Sequence, residues 1–204
     1  MPRRTNVGDE HPGHIPSRGR CHLYVLPCAW EDLCKLGFSR DPLARMEALH
    51  PRFFELFDLG RGMLVETDTV AEARAFETRL RRELVAHNAP APLTIRGQAG
   101  GHREWYRGAA VLLATATDAL AAQGYRVHAP LRPWLRDALL QRSDRLNSWT
   151  ESMLSPDELQ GLAGWTPAQQ RVRDALDAWT AMELDVVPFL PPTVRGWHRR
   201  VSGT

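Results

Sequence analysis

Two runs of strand composition open the structured pattern of the chain, CHLYVLP (21–27) and LCKLGFS (33–39), with a turn at WEDL between them. In the first, Leu23 and Val25 share one face while His22 and Tyr24 share the other. In the second, Cys34, Leu36 and Phe38 oppose Lys35 and Gly37. A hairpin of the two predicts one apolar face and one exposed face carrying Tyr24 and Lys35. SRDPLARMEALH then reads as a short helix, with Asp41 as N-cap and Pro42 at the first helical position, where its missing N–H does no harm. The aromatic and aliphatic stretch 52–67, broken by Gly60 and Gly62, predicts a bent strand. TVAEARAFETRLRRELVAHN predicts a long helix opened by a capping box of Thr69 and Glu72. Residues 90–101 are a Pro/Gly loop, REWYRG (103–108) a short strand, and AAVLLATATDALAAQG an apolar helix stopped by Gly124.

The texture changes after about Pro130. RPWLRDALLQRSDRLNSWTESML is amphipathic, and capping boxes at Ser155/Glu158 and Thr166/Gln169 announce two further helices. The end, VVPFLPPTVRGWHRRVSGT, is proline-rich with a basic run. No repeat of solenoid period is present. The expected class is α+β: a flexible tail at 1–20, a core at 21–125 and a helical appendage at 126–204.

Composition narrows this picture. The 204 residues are 43% hydrophobic, enough for a sizeable core, and the net charge of +2 is a mild lean toward anionic partners. No apolar run approaches the ~18 residues of a membrane span, and the charged N-terminus lacks the apolar centre of a secretory signal. Cys21, Cys28 and Cys34 are odd in number and match no zinc spacing, so they read as free thiols in a reducing cytoplasm. His11 and His14 sit in the tail and suggest no metal site either.

Three side chains are out of keeping with their surroundings. Only one of the 26 cationic side chains is a lysine, Lys35. Glu77 lies on or beside the helix stripe Ala73, Phe76, Leu80 and Leu84, where a carboxylate is costly unless paired, hydrated or metal-bound; a bridge to Arg74, Arg79 or Arg81 would account for it. Arg45 stands at the edge of the apolar face of its helix, where arginine stems commonly cover a core. Lys35 could equally be surface decoration.

Their order along the chain says more. A strand tyrosine, a strand K-L-G, a helix arginine, a helix glutamate and a closing E-W-Y, between residues 22 and 108, resemble the GIY-YIG nuclease superfamily. The likeness is to the branch whose second half-motif reads K-[IL]-G and which ends on Glu-Trp-Phe/Tyr. HLYVL stands for the G-I-Y strand, with His22 and Leu23 in place of glycine and isoleucine; CKLGFSRDPLAR stands for Y-I-G and its helix; EARAFETRLRREL carries the glutamate; GHREWYRG is the closing box. The resemblance implies a small three-stranded, mainly antiparallel sheet flanked by helices. It implies an endonuclease that hydrolyses DNA phosphodiester bonds with one Mg2+ or Mn2+. By position Glu77 would hold the metal, Arg45 the scissile phosphate, and Tyr24 the attacking water. Lys35, a compact charge beside Tyr24, would lower the tyrosine's pKa or share the water's proton. His50, five residues after Arg45, is a looser match for a phosphate contact or proton carrier, and a helix C-terminus would equally favour a histidine there. Glu104 and Trp105 read as structural, with Glu104 bracing an arginine.

DNA affinity would come from arginine, at Arg79 and Arg82 in RLRR, at Arg103 and Arg107, and at RGWHRR (195–200), through sequence-blind phosphate contacts. The appendage could supply grip or a homodimer contact; its Trp134, Trp149, Trp165 and Trp179 read as core. Two other functions remain open from sequence: a nucleic-acid-binding regulator with a nuclease-like fold and weak catalysis, and a nuclease toxin.

Overall fold

The computed structural model describes residues 20–95 and 104–203. The expected tail, apart from Arg20, and Arg103 lie outside the described residues. The strands are β1 (Cys21–Pro27), β2 (Leu33–Ser39), β3 (Met63–Thr67), β4 (Trp105–Arg107) and β5 (Val127–His128). The helices are α1 (Pro42–Leu49), α2 (Phe53–Leu56), α3 (Val70–Glu83), α4 (Ala110–Ala122), α5 (Arg132–Leu140), α6 (Ser143–Met153), α7 (Pro156–Gln160), α8 (Pro167–Ala181) and α9 (Pro192–Ser202). The fold is α+β, but its single antiparallel sheet has five strands rather than three, in the order β4-β2-β1-β3-β5.

The hairpin forms where the alternation places it, with Tyr24 opposite Gly37 and Leu26 opposite Lys35. Asp41 caps α1 by accepting the Ala44 N–H at 3.0 Å, and Pro42 opens the helix. Segment 52–67 departs from the expectation of one bent strand. Phe53–Leu56 is a single helical turn, closed by the Phe57 N–H donating to the Phe53 carbonyl at 2.9 Å, and only Met63–Thr67 is strand. Phe53 and Phe57 are buried while Glu55 between them is exposed; a strand would turn all three to one face, and the helical turn does not. The reciprocal boxes at Ser155/Glu158 and Thr166/Gln169 are present. At α3 the box is only half made. Thr69 accepts the Glu72 N–H, but the Glu72 carboxylate reaches past the cap to the Asp68 N–H and also accepts the Tyr125 hydroxyl at 2.6 Å.

The sheet is covered on both faces. Leu23, Val25, Cys34, Leu36 and Val65 pack against Leu80 and Leu84 of the α3 side and Leu113 and Leu120 of α4. The opposite face, expected to be exposed, is buried: Tyr24 is 2% and Lys35 0% exposed. Tyr24, Leu26, Leu64 and Trp105 join one apolar cluster with Leu43, Met46 and Phe53, and with Leu135, Val172, Leu176 and Trp197 from the C-terminal helices. The residues after 130 thus form the second layer over the sheet. Arg142 reinforces the junction by bonding both oxygens of Asp41, the cap of α1, at 2.5 and 2.6 Å. Of the four tryptophans read as core, Trp179 is buried, Trp134 and Trp149 are half-buried, and Trp165 is exposed and stacked on Trp197. Among the described residues no helix is long and apolar enough to cross a membrane.

Candidate functional site

Gly37 sets the geometry of the site. A Cβ at this position would stand 2.6 Å from Cζ and 3.0 Å from Cε2 of Tyr24, so the tyrosine ring lies flat across the glycine of the neighbouring strand. That close approach needs a residue without a side chain. It carries the phenol across β2 toward α1, where Arg45 Nε donates to the Tyr24 hydroxyl over a long 3.4 Å. Arg45 is half-buried.

Lys35 lies diagonally from Tyr24 on the same face. It is registered against Trp105, and its ammonium sits 5.6 Å from the centroid of that indole. Glu104, one residue before β4, forms an ion pair with Lys35, the charge partner its place suggested but with a lysine in place of the expected arginine. Burial pushes the Lys35 pKa down; Glu104 opposes this and Arg45 adds to it. A fully buried ammonium persists only with such a partner.

Glu77 comes from α3, whose Leu80 packs on the sheet face opposite to Tyr24 and Lys35, so it meets those two only through its charge. It is 6% exposed, and among the described residues its carboxylate takes no hydrogen bond and no ion pair. The expected bridge to Arg74, Arg79 or Arg81 is not made: Arg79 pairs with Glu83 at 4.0 Å and covers Phe76, and Arg81 and Arg74 act on Glu77 only through their charge. Burial pushes the Glu77 carboxyl above the usual carboxylate range, and the Glu104 charge raises it further. The charges of Glu77 and Glu104 are both felt at Tyr24, and that of Glu77 at Lys35. Tyr24, Lys35, Arg45, Glu77 and Glu104 therefore form one electrostatic cluster, drawn from two strands, two helices and the lead into β4.

The phenol differs from expectation in one respect. Burial pushes the Tyr24 pKa up, and the cation that pulls it back is Arg45, not Lys35. His50 stands apart at the C-cap of α1, where Nδ1 accepts the Arg52 backbone N–H at 3.1 Å; no described contact joins it to the cluster.

One turn beyond Glu77, Thr78, Arg81, Arg82, Asn88 and Tyr106 line a cleft of about 530 Å³. Arg82 was expected to meet nucleic acid, and Arg107 is exposed on the neighbouring strand, while Arg79 is turned to Glu83. The sequence offered Arg81 only as a bridge partner of Glu77 and within RLRR, and assigned Asn88 no role. The available signal for Arg81 was its position four residues after Glu77, which stacks the two on one face of α3. Asn88 holds the Trp105 carbonyl through Nδ2 at 3.2 Å, a contact that spacing alone does not reveal.

Among the described residues no group of three or more His, Cys, Asp or Glu side chains could hold a metal ion. Cys21, Cys28 and Cys34 are free and buried. What the cluster offers is one unpartnered buried carboxylate, a guanidinium beside a phenol, and a buried ammonium whose charge is held by a second carboxylate. No family model, curated protein or solved structure matches the chain.

Proposed function

We propose that this chain is a divalent-metal-dependent endonuclease of the GIY-YIG type that hydrolyses DNA phosphodiester bonds. The observations that support the reading are the contact of Arg45 with Tyr24 and of Lys35 with Glu104, with the charge of Glu77 felt at both Tyr24 and Lys35. The metal fits the residues present. Glu77 has no hydrogen bond or ion pair among the described residues and its carboxylate oxygens keep contact with solvent, so a hard cation with its waters would reach it, and Mg2+ commonly takes one or two carboxylates and keeps several waters. Glu77 would hold Mg2+ or Mn2+, which when bound supplies positive charge at the scissile phosphate.

The remaining roles belong to the chain's own groups. Arg45 keeps its charge at any working pH and offers a planar fork to phosphate oxygens. Tyr24 and Lys35 would act on the attacking water. Burial holds the phenol neutral, so its hydroxyl orients that water by hydrogen bonding. Lys35, an ammonium paired with Glu104, would share that water by donating a hydrogen bond to it. Arg81, Arg82 and Arg107 extend the positive surface along which a phosphate backbone would run.

One observation favours a second reading, a nucleic-acid-binding regulator that does not cut. Tyr24 and Lys35 are 2% and 0% exposed, so a water reaches them only if the cover over the sheet opens. Supercoiled-plasmid cleavage with Mn2+ or Mg2+, run beside a gel-shift assay, separates the two. The nuclease reading expects nicking by the wild type that Glu77→Ala abolishes while DNA binding remains. Binding without nicking in both proteins supports the regulator, and absence of binding and nicking in the wild type overturns both.

A further inference from the structure

A second cavity, of about 570 Å³, lies between α1–α2 and the C-terminal helices α6 and α8. Its volume is in the range of small-molecule sites. Its floor is apolar and aromatic: Phe53 and Trp179 are buried, and Trp149 is half-buried in the wall. Its rim is basic, with Arg142, Arg145 and Arg171, while Glu47 and Asp174 contribute carboxylates.

The charges are not all internally satisfied. Arg142 is held by Asp41, and Asp174 accepts from Arg52 and Gln170, each at 2.9 Å. The side chains of Arg145 and Arg171 make no ion pair or hydrogen bond among the described residues. Glu47 pairs with Arg142 at 4.0 Å, so a ligand complementary to this lining has a flat apolar ring for Trp149 and an anionic group for the two arginines, of which Arg145 stands one helical turn before Trp149 on α6. An aliphatic anion leaves the aromatic floor uncovered, and a neutral aromatic leaves the arginine pair unanswered. We propose that the cavity binds a free nucleoside monophosphate, with its base against Trp149 and its phosphate on Arg145 and Arg171. The phosphate carries about −1.5 to −2 charges at neutral pH and accepts charge-assisted bonds from guanidinium forks. Stacking on the indole supplies contact that every base can make.

The cavity is separate from the Tyr24–Glu104 cluster, and the test keeps the two apart. Isothermal titration of the full chain uses the common 5′-nucleoside monophosphates, the matching nucleosides and inorganic phosphate. At least one monophosphate is expected to bind, with its nucleoside and inorganic phosphate each at least about tenfold weaker. Arg145→Ala/Arg171→Ala, at two exposed positions whose loss leaves the circular-dichroism spectrum unchanged, weakens binding by at least about tenfold, the factor one lost charge-assisted bond commands. Glu77→Gln leaves it unchanged whether or not the chain cuts DNA. No binding of any monophosphate at millimolar concentration, or equal binding by the double variant, overturns the assignment. So does a 5′-phosphorylated oligonucleotide that binds through the same arginines at least tenfold more tightly, because the natural occupant would then be a strand end.

Discussion

Replacing Gly37 with alanine tests the geometry on which the cluster is built. The new methyl would sit 2.6 Å from Tyr24 Cζ and 3.0 Å from Cε2, against a comfortable carbon separation of about 3.5–4.0 Å. The ring cannot simply swing outward, because Tyr24 is 2% exposed and its hydroxyl lies under Arg45. Overpacking of this kind costs about 1–3 kcal/mol. Loss of glycine's conformational freedom in the unfolded chain returns about 0.5–1 kcal/mol. The net destabilisation is then about 0–2.5 kcal/mol, or a fall in Tm of up to about 10 °C for a chain of this size. The decisive measurement is a double-mutant cycle read by thermal unfolding. In a Tyr24→Ala background the methyl has room, so Gly37→Ala becomes neutral or stabilising, and the coupling is about 1–3 kcal/mol. An equal Tm shift in both backgrounds would refute the claim that the tyrosine ring occupies the place of a side chain at 37. Under the nuclease reading the same substitution also lowers plasmid nicking, because it displaces the phenol from Arg45.

Two further outcomes follow from burial. Glu77 has its folded pKa raised above 4.5, so the native state holds that proton longer than the unfolded chain does, and stability is lost as pH rises from about 4.5 through the raised value. In EDTA, Glu77→Gln is therefore expected to be more stable than wild type by about 1–3 kcal/mol near neutrality, with the difference shrinking toward pH 4.5 in chemical denaturation; a constant or negative difference contradicts an unpaired carboxylate. Burial also pushes Cys28 to about 12 and Cys34 to about 11 and raises Cys21, so the native protein should resist a thiol reagent at pH 8 and react at three sites in denaturant; rapid labelling of the folded chain would show that these thiols are not enclosed.

The parts legible in the sequence are those whose cause is local. The strands at 21–27 and 33–39, the Asp41-Pro42 start of α1 and the two reciprocal capping boxes each depend on neighbours within a few residues. What was missed depends on distant partners or on brevity. RFFELF has strand composition, and its helical turn shows only in the exposure of Glu55 between the buried Phe53 and Phe57. β5 is two residues long, too short to show a period, and it exists because β3 offers an edge. The hairpin face looked exposed because its cover comes from residues more than 100 positions later. The candidate site divides the same way: residue types and order pointed to Tyr24, Lys35, Arg45 and Glu77, whereas the Glu104–Lys35 pair spans 69 positions and no spacing announces it.

The shared apolar layer has a practical consequence for anyone dissecting the chain. A polypeptide stopped at Tyr125 would retain four of the five strands and every member of the charged cluster. It would nonetheless present Leu26, Leu43, Met46, Phe53 and Leu64 to water as a broad greasy slab. Such a fragment should clump or draw in chaperones rather than display trimmed-down chemistry, and a dead truncation would say nothing about whether the charged residues are competent.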